Sequence, residues 1–425
     1  MLDIKFVKEH PDVVKQSLKH RFKTDRVKLV DQAIKIYDEW RDIKQESDVL
    51  RQKRNTLSEE VNRLKKQGKD AAETLKALKE IPEDIKKLEV RDTELQAELK
   101  VVLKKIPNLL DEDTPLAETE DGNVTVRLVG KPPKFDFPLE SHVDVLQRLD
   151  LADLDRAAKV AGARFYYLKN ELVELDFAII RFALDVLKRH GYTLVRTPDL
   201  LQRSMMEGAA ELADFEDTLY GIKDDDLFLI GTAEQSLASL HAGETLQKVP
   251  LKYAGISECF RREAGAHGKD TKGIFRVHEF RKVEQFVYCA PEDSRKIHED
   301  LIGVAEEVFK ALGFHYRVIS IASGALNDTA IKKYDLEVWM PVQNAFREMC
   351  SVSNCTDYQS RKLNIRLQTK EGTVHPHLLN GTAVATPRVL VALLENCQQK
   401  DGSILVPQCL QKYVDFNVIK PKKSI

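Results

Sequence analysis

At 425 residues the chain exceeds what one hydrophobic core usually organises, so two domains are expected, and no apolar run approaches the length of a membrane span. With 32% charged and 43% hydrophobic residues it reads as a soluble globular protein carrying a long polar element. The net charge of −2 conceals an asymmetry: 26 Lys plus Arg face 21 Asp plus Glu in residues 1–110, leaving 40 against 47 in the remainder.

A basic extension on an acidic body suits a polyanionic partner, and a solvated helix face accounts for the same modest difference. The opening MLDIKF has no apolar signal core, and the cysteines at 259, 289, 350, 355, 397 and 409 contain no CxxC pair. Cys350 and Cys355 match no common zinc spacing. Reduced, mostly buried thiols in a cytoplasmic protein are expected.

In chain order, residues 2–6 read as a short strand and 11–20 as a helix. A heptad pattern then sets in, with Ile36, Trp40, Ile43, Ser47, Leu50, Arg54, Leu57, Val61 and Leu64 at alternating steps of four and three. It resumes after Gly68 with Leu78, Ile81, Ile85, Leu88, Asp92, Leu95, Leu99, Val102 and Ile106. One glycine-containing break between matched stretches predicts an antiparallel coiled-coil hairpin over about 27–106, each limb ~60 Å long at ~1.5 Å per residue. Pro82 either kinks the second helix or starts it. Ser47, Arg54 and Asp92 either set the register of the seam or mark where it opens.

Residues 107–123 form an acidic linker punctuated by Pro and Gly, separating an N-terminal domain (1–110) from a body (111–425). Beyond it a long amphipathic helix (170–190) mixes with extended runs at 192–197, 227–230, 252–258, 337–340, 346–349 and 404–407. They lack βαβ alternation, so the expected class is α+β: an antiparallel sheet flanked by helices behind the helical hairpin. The densest chemistry lies in 259–284, CFRREAGAHGKDTKGIFRVHEFRKVE. An Arg-Arg-Glu triplet leads through a glycine-rich loop into an alternating strand, 274–283, with Arg276, His278, Phe280 and Lys282 on one face.

No GxxxxGK[ST] loop is present, and no GxGxxG follows a first strand, so a triphosphate would have to be held by arginines and a metal. Arg261, Arg276 and Arg388 suit that task, because guanidinium is always charged and matches phosphate oxygens in pairs. Phe280 offers a plate for a purine, and Glu348 with Ser351, three apart, offers hard oxygens to Mg²⁺. Taken singly, each reads equally well as a salt bridge, a core aromatic or a surface carboxylate.

Together and in this order, the segments resemble the class II aminoacyl-tRNA synthetases, and over the whole of 1–425 the seryl-tRNA synthetases. The helix and strand ending at Pro198 stand as motif 1, FRREAG…GIFRVHEFRKVE as motif 2, and LNGTAVATPRVLVALLEN (379–396) as motif 3. AGARFYYLKN (161–170), GTAE (231–234) and the run 334–362 are of the seryl type. GIFRVHEF with EQFVY leans towards archaeal and eukaryotic cytosolic members.

The resemblance implies serine activation by ATP and transfer to tRNA(Ser), with tRNA(Sec) a further acceptor where present. It makes Arg261 and Arg388 the catalytic pair, on the α- and terminal phosphates. It places Arg262, Glu263, Arg276, Val277, His278 and Glu279 around ATP, with Phe280 stacking on adenine. Glu348, Met349, Cys350 and Ser351 fall at the phosphates, Glu348 and Ser351 as Mg²⁺ ligands. Thr232, Ala233, Glu234, Arg261, Glu284, Asn380 and Thr382 surround serine.

The chain departs from the pattern with Arg262 where many members have a small or polar residue, with Pro387 before the motif 3 arginine, and with Thr382 where bacterial members often have serine. The hairpin is implied to hold the long variable arm of the tRNA through Arg51, Lys53, Arg54, Arg63, Lys65 and Lys66. A homodimer through motif 1 is likewise implied, with no membrane partner and no zinc, since motif 2 and GTAE match the zinc-free type. A paralogue loading serine or a similar amino acid onto a carrier other than tRNA is the alternative, and the basic arm weighs against it.

Overall fold

The computed structural model describes residues 1–210, 218–263, 270 and 272–421. They form two compact units, Met1–Pro107 and Asn108–Ile425.

The first unit is helical: α1 (Ile4–Glu9), α2 (Pro11–His20), α3 (Val27–Lys66) and α4 (Ala72–Lys104). The strand expected at 2–6 is therefore a helix. The side chain of Asp3 accepts from the Lys5 backbone N–H and caps α1, while Val7 is fully buried. A cap at Asp3 decides between two periods that six residues cannot separate.

α3 and α4 make the expected antiparallel hairpin. Ile36, Ser47 and Val61 of α3 are buried, as are Ile81, Ile85, Leu95 and Val102 of α4. The Trp40 indole donates to Asp92 Oδ1 at 2.7 Å, and Arg91 pairs with Glu39 at 2.7 Å, so Asp92 sets the register. Arg54 is exposed. Pro82 lies inside α4, not in its first turn. Gly68, with φ of 66°, takes the left-handed position just past the end of α3, where other residues are strained.

The acidic stretch is no free linker over 108–117. The Asn108 backbone N–H donates to Asp328 O at 2.8 Å, and its side chain donates to the Thr329 and Cys355 carbonyls at 2.9 Å each. Ser323 and Gly324 donate in turn to Pro115 and Ala117 carbonyls. Composition reports side chains, and here the backbone makes the bonds.

Eight strands build the main sheet: β1 (Val124–Val129), β2 (Thr193–Arg196), β3 (Leu251–Phe260), β4 (Glu279–Cys289), β5 (Tyr316–Ser320), β6 (Lys332–Met340), β7 (Ala345–Asn354) and β8 (His377–Ala385). Their order is β1-β5-β6-β7-β8-β4-β3-β2, antiparallel except for β2 beside β3. Around it lie α5 (Glu171–Arg189), α6 (Ala233–Ser239), α7 (Ser294–Ala311) and α8 (Thr386–Asn396). α5, α7 and α8 share one core with Val283 and Val287 of β4, while Phe286 and Tyr288 join a second core with α6. Alternation along β4 thus separates two faces, and its even residues Lys282 and Glu284 share the α6 side.

β4 begins at Glu279, five residues later than the alternation in 274–283 suggests. Gly273, at φ 79°, abuts His142, where a Cβ would fall 2.1 Å from the ring nitrogen. The turn sends Ile274, Phe275 and Val277 into the core as irregular chain. Arg276 and His278 consequently do not share a strand face with Phe280 and Lys282. Among the described residues, no helix is long and apolar enough to cross a membrane.

Candidate active site

Two cavities adjoin at Arg261, Glu263 and Arg276. Two β-bulges build the walls of the first. Across β6 and β7, Leu336 pairs with Cys350 and Glu337 with Glu348, leaving Met349 extra. Residues three apart on a regular strand face opposite ways, and the extra residue lets both Glu348 and Ser351 line the cavity. Across β4 and β8, Thr382 pairs with Glu284 and Val384 with Val283, leaving Ala383 extra. Thr382 and Ala385, again three apart, both line the cavity.

The chain then turns into α8, with Pro387 in its first turn, where a fixed φ is already helical. Pro387 therefore helps present Arg388. The guanidinium of Arg388 lies 3.2 Å from Glu348 Oε1, donates to the Glu348 carbonyl at 3.1 Å, and sits 5.4 Å over the Phe275 ring. Burial works to raise the Glu348 carboxyl, but the charges of Arg388, Lys333 and Arg261 outweigh it and hold it at about 2. Beneath it Asp335, with Lys333 Nζ at 3.2 Å, is pushed up to about 7 by burial and by the charge of Glu348.

Arg261 belongs to both cavities. Its Nε donates to Gly231 O at 3.1 Å, and its guanidinium lies 5.3 Å over Phe280. Arg276 pairs with Glu263 at 3.1 Å. In the second cavity, Thr232 caps α6 by accepting from the Glu234 N–H at 3.2 Å, which fixes the Glu234 backbone. Gln359 donates to Glu234 Oε1 at 3.1 Å. Burial, then the charge of Glu284, pushes the Glu234 carboxyl up to about 7, against the pull of Lys282, Gln359 and Asn380. Lys282 Nζ lies 2.6 Å from Glu284 Oε2, and Thr382 Oγ1 donates to the same oxygen at 3.2 Å.

Of the residues predicted to bind ATP or serine, the cavities bring together Thr232, Glu234, Arg261, Glu263, Arg276, Val277, Phe280, Glu348, Met349, Cys350, Ser351, Thr382 and Arg388. Glu284 is buried among them, beside Thr382 and Lys282. Others fall outside the cavity walls. Arg262 is exposed, with its N–H on the Thr218 carbonyl. His278 Nδ1 lies 2.8 Å from the Arg261 carbonyl and braces the turn from behind, and Glu279 is exposed opposite Phe260. Ala233 and Asn380 are buried behind Glu234 and within the sheet. The centre of the loop after Glu263, residues 264–269 and 271, lies outside the described residues.

Sequence reasoning left Lys282, Lys333 and Phe275 out of the site. Lys282 carries a signal, standing two before Glu284 on an alternating strand. Lys333 carries none. In the helical unit, Arg51 pairs with Glu89 at 2.9 Å and Arg63 with Glu60 at 3.4 Å, while Lys53, Arg54, Lys65 and Lys66 are exposed.

Residues 218–397 match the tRNA synthetase class II core domain (G, H, P, S and T), and residues 1–110 the seryl-tRNA synthetase N-terminal domain. The chain is 45% identical over 445 residues to a serine–tRNA ligase of Pyrococcus horikoshii, covering 99% of this chain and 98% of that one. It is 44% identical over 420 residues to a serine–tRNA ligase of Methanocella arvoryzae, covering 98% and 99%. The crystal structure of seryl-tRNA synthetase from Pyrococcus horikoshii complexed with ATP superposes at a TM-score of 0.95, with 44% identity and full coverage of both chains. The cytoplasmic serine-tRNA ligase of Naegleria fowleri in complex with AMP superposes at 0.89, with 34% identity over 100% and 99% of the chains.

Proposed function

We infer, for a chain that belongs to the seryl-tRNA synthetase family, that the two adjoining cavities hold the two small substrates of one reaction. The enzyme activates L-serine with ATP and transfers it to the 3′ end of tRNA(Ser). The observation that carries the site assignment is the distribution of charge around Arg261. Arg388 stands in the first cavity only and Glu234 in the second only, Arg261 and Arg276 line both, and the buried Glu284 meets Lys282 and Thr382 of the first cavity's wall.

In the first step a serine carboxylate oxygen attacks the α-phosphorus, and the bond to pyrophosphate breaks. The attacking group is already ionised, so no protein nucleophile or base is required. Catalysis then rests on positioning and on neutralising charge that grows on phosphate oxygens. Arg261, at the junction, is placed for the α-phosphate, Arg388 for the terminal phosphate, and Phe280 for the adenine face. Glu348 stays ionised down to about pH 2 and, with Ser351, forms a hard-oxygen pair that suits Mg²⁺. When bound there, Mg²⁺ supplies neutralisation of the phosphate charge.

Glu234 of the second cavity is the counterion for the ammonium of serine, and the buried Glu284 with Thr382, on the wall of the first cavity, meets its hydroxyl. Glu234 titrates near 7 in the free enzyme, so below that pH it carries a proton and loses its attraction for a cation. Serine binding requires the ionised form. The KM for serine in ATP–pyrophosphate exchange should be flat above pH ~7.5 and rise about tenfold per pH unit below pH ~6.5, while Glu234→Gln should be weak and pH-independent. A KM that stays level from pH 5.5 to 8.5 would remove Glu234 from this role.

The helical arm is assigned to the long variable arm of tRNA(Ser), and to tRNA(Sec) where that acceptor exists. Exposed ion pairs such as Arg51–Glu89 are worth little and exchange readily for phosphate. A homodimer through α5 and a cytoplasmic setting complete the reading. Serine-dependent pyrophosphate exchange followed by charging of a tRNA(Ser) transcript tests the whole. Exchange without charging would favour a carrier other than tRNA, and no exchange with serine would reject the assignment.

A further inference from the structure

Lys282, Glu284 and Thr382 form a closed cluster with its own proton order. Lys282 and Glu284, two apart on β4, project from one face, and Thr382 of β8 is the direct cross-strand partner of Glu284. Lys282 Nζ lies 2.6 Å from Glu284 Oε2 and 3.3 Å from Thr382 Oγ1, whose hydroxyl lies 3.2 Å from the same Oε2. Both charged side chains are almost wholly enclosed, 7% and 2% exposed. An ammonium donates and never accepts. Thr382 therefore receives from Lys282, and its single proton goes to Glu284. What Glu284 and Thr382 leave for a ligand is acceptor capacity alone: Oε1 of the carboxylate and one lone pair of the hydroxyl.

We propose that Lys282 sets the side-chain specificity of the amino-acid site by locking Thr382 and Glu284 into an acceptor-only end that a substrate hydroxyl satisfies and a methyl group does not. The proposal rests on the reading of Glu284 and Thr382 as the serine end of the cavity. A bound serine donates its hydroxyl proton to Glu284 Oε1. Alanine leaves that oxygen buried and unpaired, the situation in which polar sites discriminate most strongly.

Charge points the same way. Lys282 neutralises Glu284, which leaves Glu234 as the carboxylate for the substrate's ammonium. Without Lys282 the Thr382 hydroxyl turns freely, and a ligand lacking a donor is penalised less. Lys282 acts through its neighbours and is a positioning residue.

The test uses the full chain in ATP–pyrophosphate exchange with L-serine and with L-alanine at high concentration. Lys282→Gln, close in volume but able to accept as well as donate, and Lys282→Met should each lower the serine-to-alanine ratio of kcat/KM by about 30-fold or more, through the KM for serine. The loss with alanine should be at least about tenfold smaller than the loss with serine, and the melting temperature should stay within about 5 °C of wild type, reporting an intact fold. Thr382→Val alone should lower the ratio more than about tenfold, yet less than about threefold further in the Lys282→Gln background, because the hydroxyl has already lost its orientation.

Ratios within threefold of wild type in both single variants, equal losses with the two amino acids, or additive losses in the double variant would each assign Lys282 to packing and overturn the proposal. Wild-type serine kinetics in Glu284→Ala would instead remove the serine-site reading, and this inference with it.

Discussion

Arg388→Ala is expected to lower serine-dependent ATP–pyrophosphate exchange by about 10³-fold while the protein melts within about 5 °C of wild type. The size follows from the position of the guanidinium. It stands at the N-terminal turn of α8, over Phe275 and against Glu348, with only a fifth of its side chain exposed. A preorganised cation in such a site meets developing phosphate charge without having to be rearranged, and alanine leaves nothing in its place. The fold should survive, because the aliphatic residues of α8, not Arg388, fill the core.

A second signature separates loss of a phosphate contact from general damage. Arg388 is the strongest of the charges that hold Glu348 near 2 against its burial. Removing it lets the carboxyl rise, so at saturating serine the residual turnover should fall towards acid pH over a range where the wild-type turnover is level. Exchange within tenfold of wild type would remove Arg388 from the phosphate site.

Shortening the helical arm should give the opposite pattern. Replacing residues 44–88 by a short glycine-bearing turn keeps the Trp40–Asp92 hydrogen bond and the Glu39–Arg91 pair as a clamp, and leaves α1 and α2 on the base of α3. Exchange should stay within about twofold, whereas kcat/KM for charging tRNA(Ser) should fall at least about 100-fold, with a shallower salt dependence. A polyanion held by exposed Lys53, Arg54, Lys65 and Lys66 is lost with them, and the cavities of the other unit are untouched. Normal charging by the shortened protein would show that the arm does not carry tRNA.

The hairpin was legible because a heptad repeat is a local signal: each seam residue announces its face by its spacing from the next. Local signals failed where two of them coincided. Leu2 to Phe6 alternates as a strand does, and only the cap at Asp3 decides for a helix. Residues 274–283 alternate too, but Gly273 against His142 turns the first of them into the core.

The site divides along the same line. Arginines and carboxylates stood out through a resemblance carried by motifs. The partnership of Lys282 with Thr382 is a contact between residues 100 apart in sequence and invisible without the pairing of β4 with β8. Lys333 hides in a charged strand where only the sheet reveals that it sits beside Asp335 and that its charge acts on Glu348.

The extra residues Met349 and Ala383 have a consequence for anyone transplanting or redesigning this site. Each is an apolar, buried residue that contributes no ligand atom of its own in the roles argued above, yet each determines the direction in which its neighbours point. Copying Glu348, Ser351, Thr382 and Ala385 onto a regular antiparallel sheet would deliver half of them to the wrong side. The information for the site therefore resides in a count of residues as well as in their identities, and a scheme that scores substitutions while holding backbone length free would miss it.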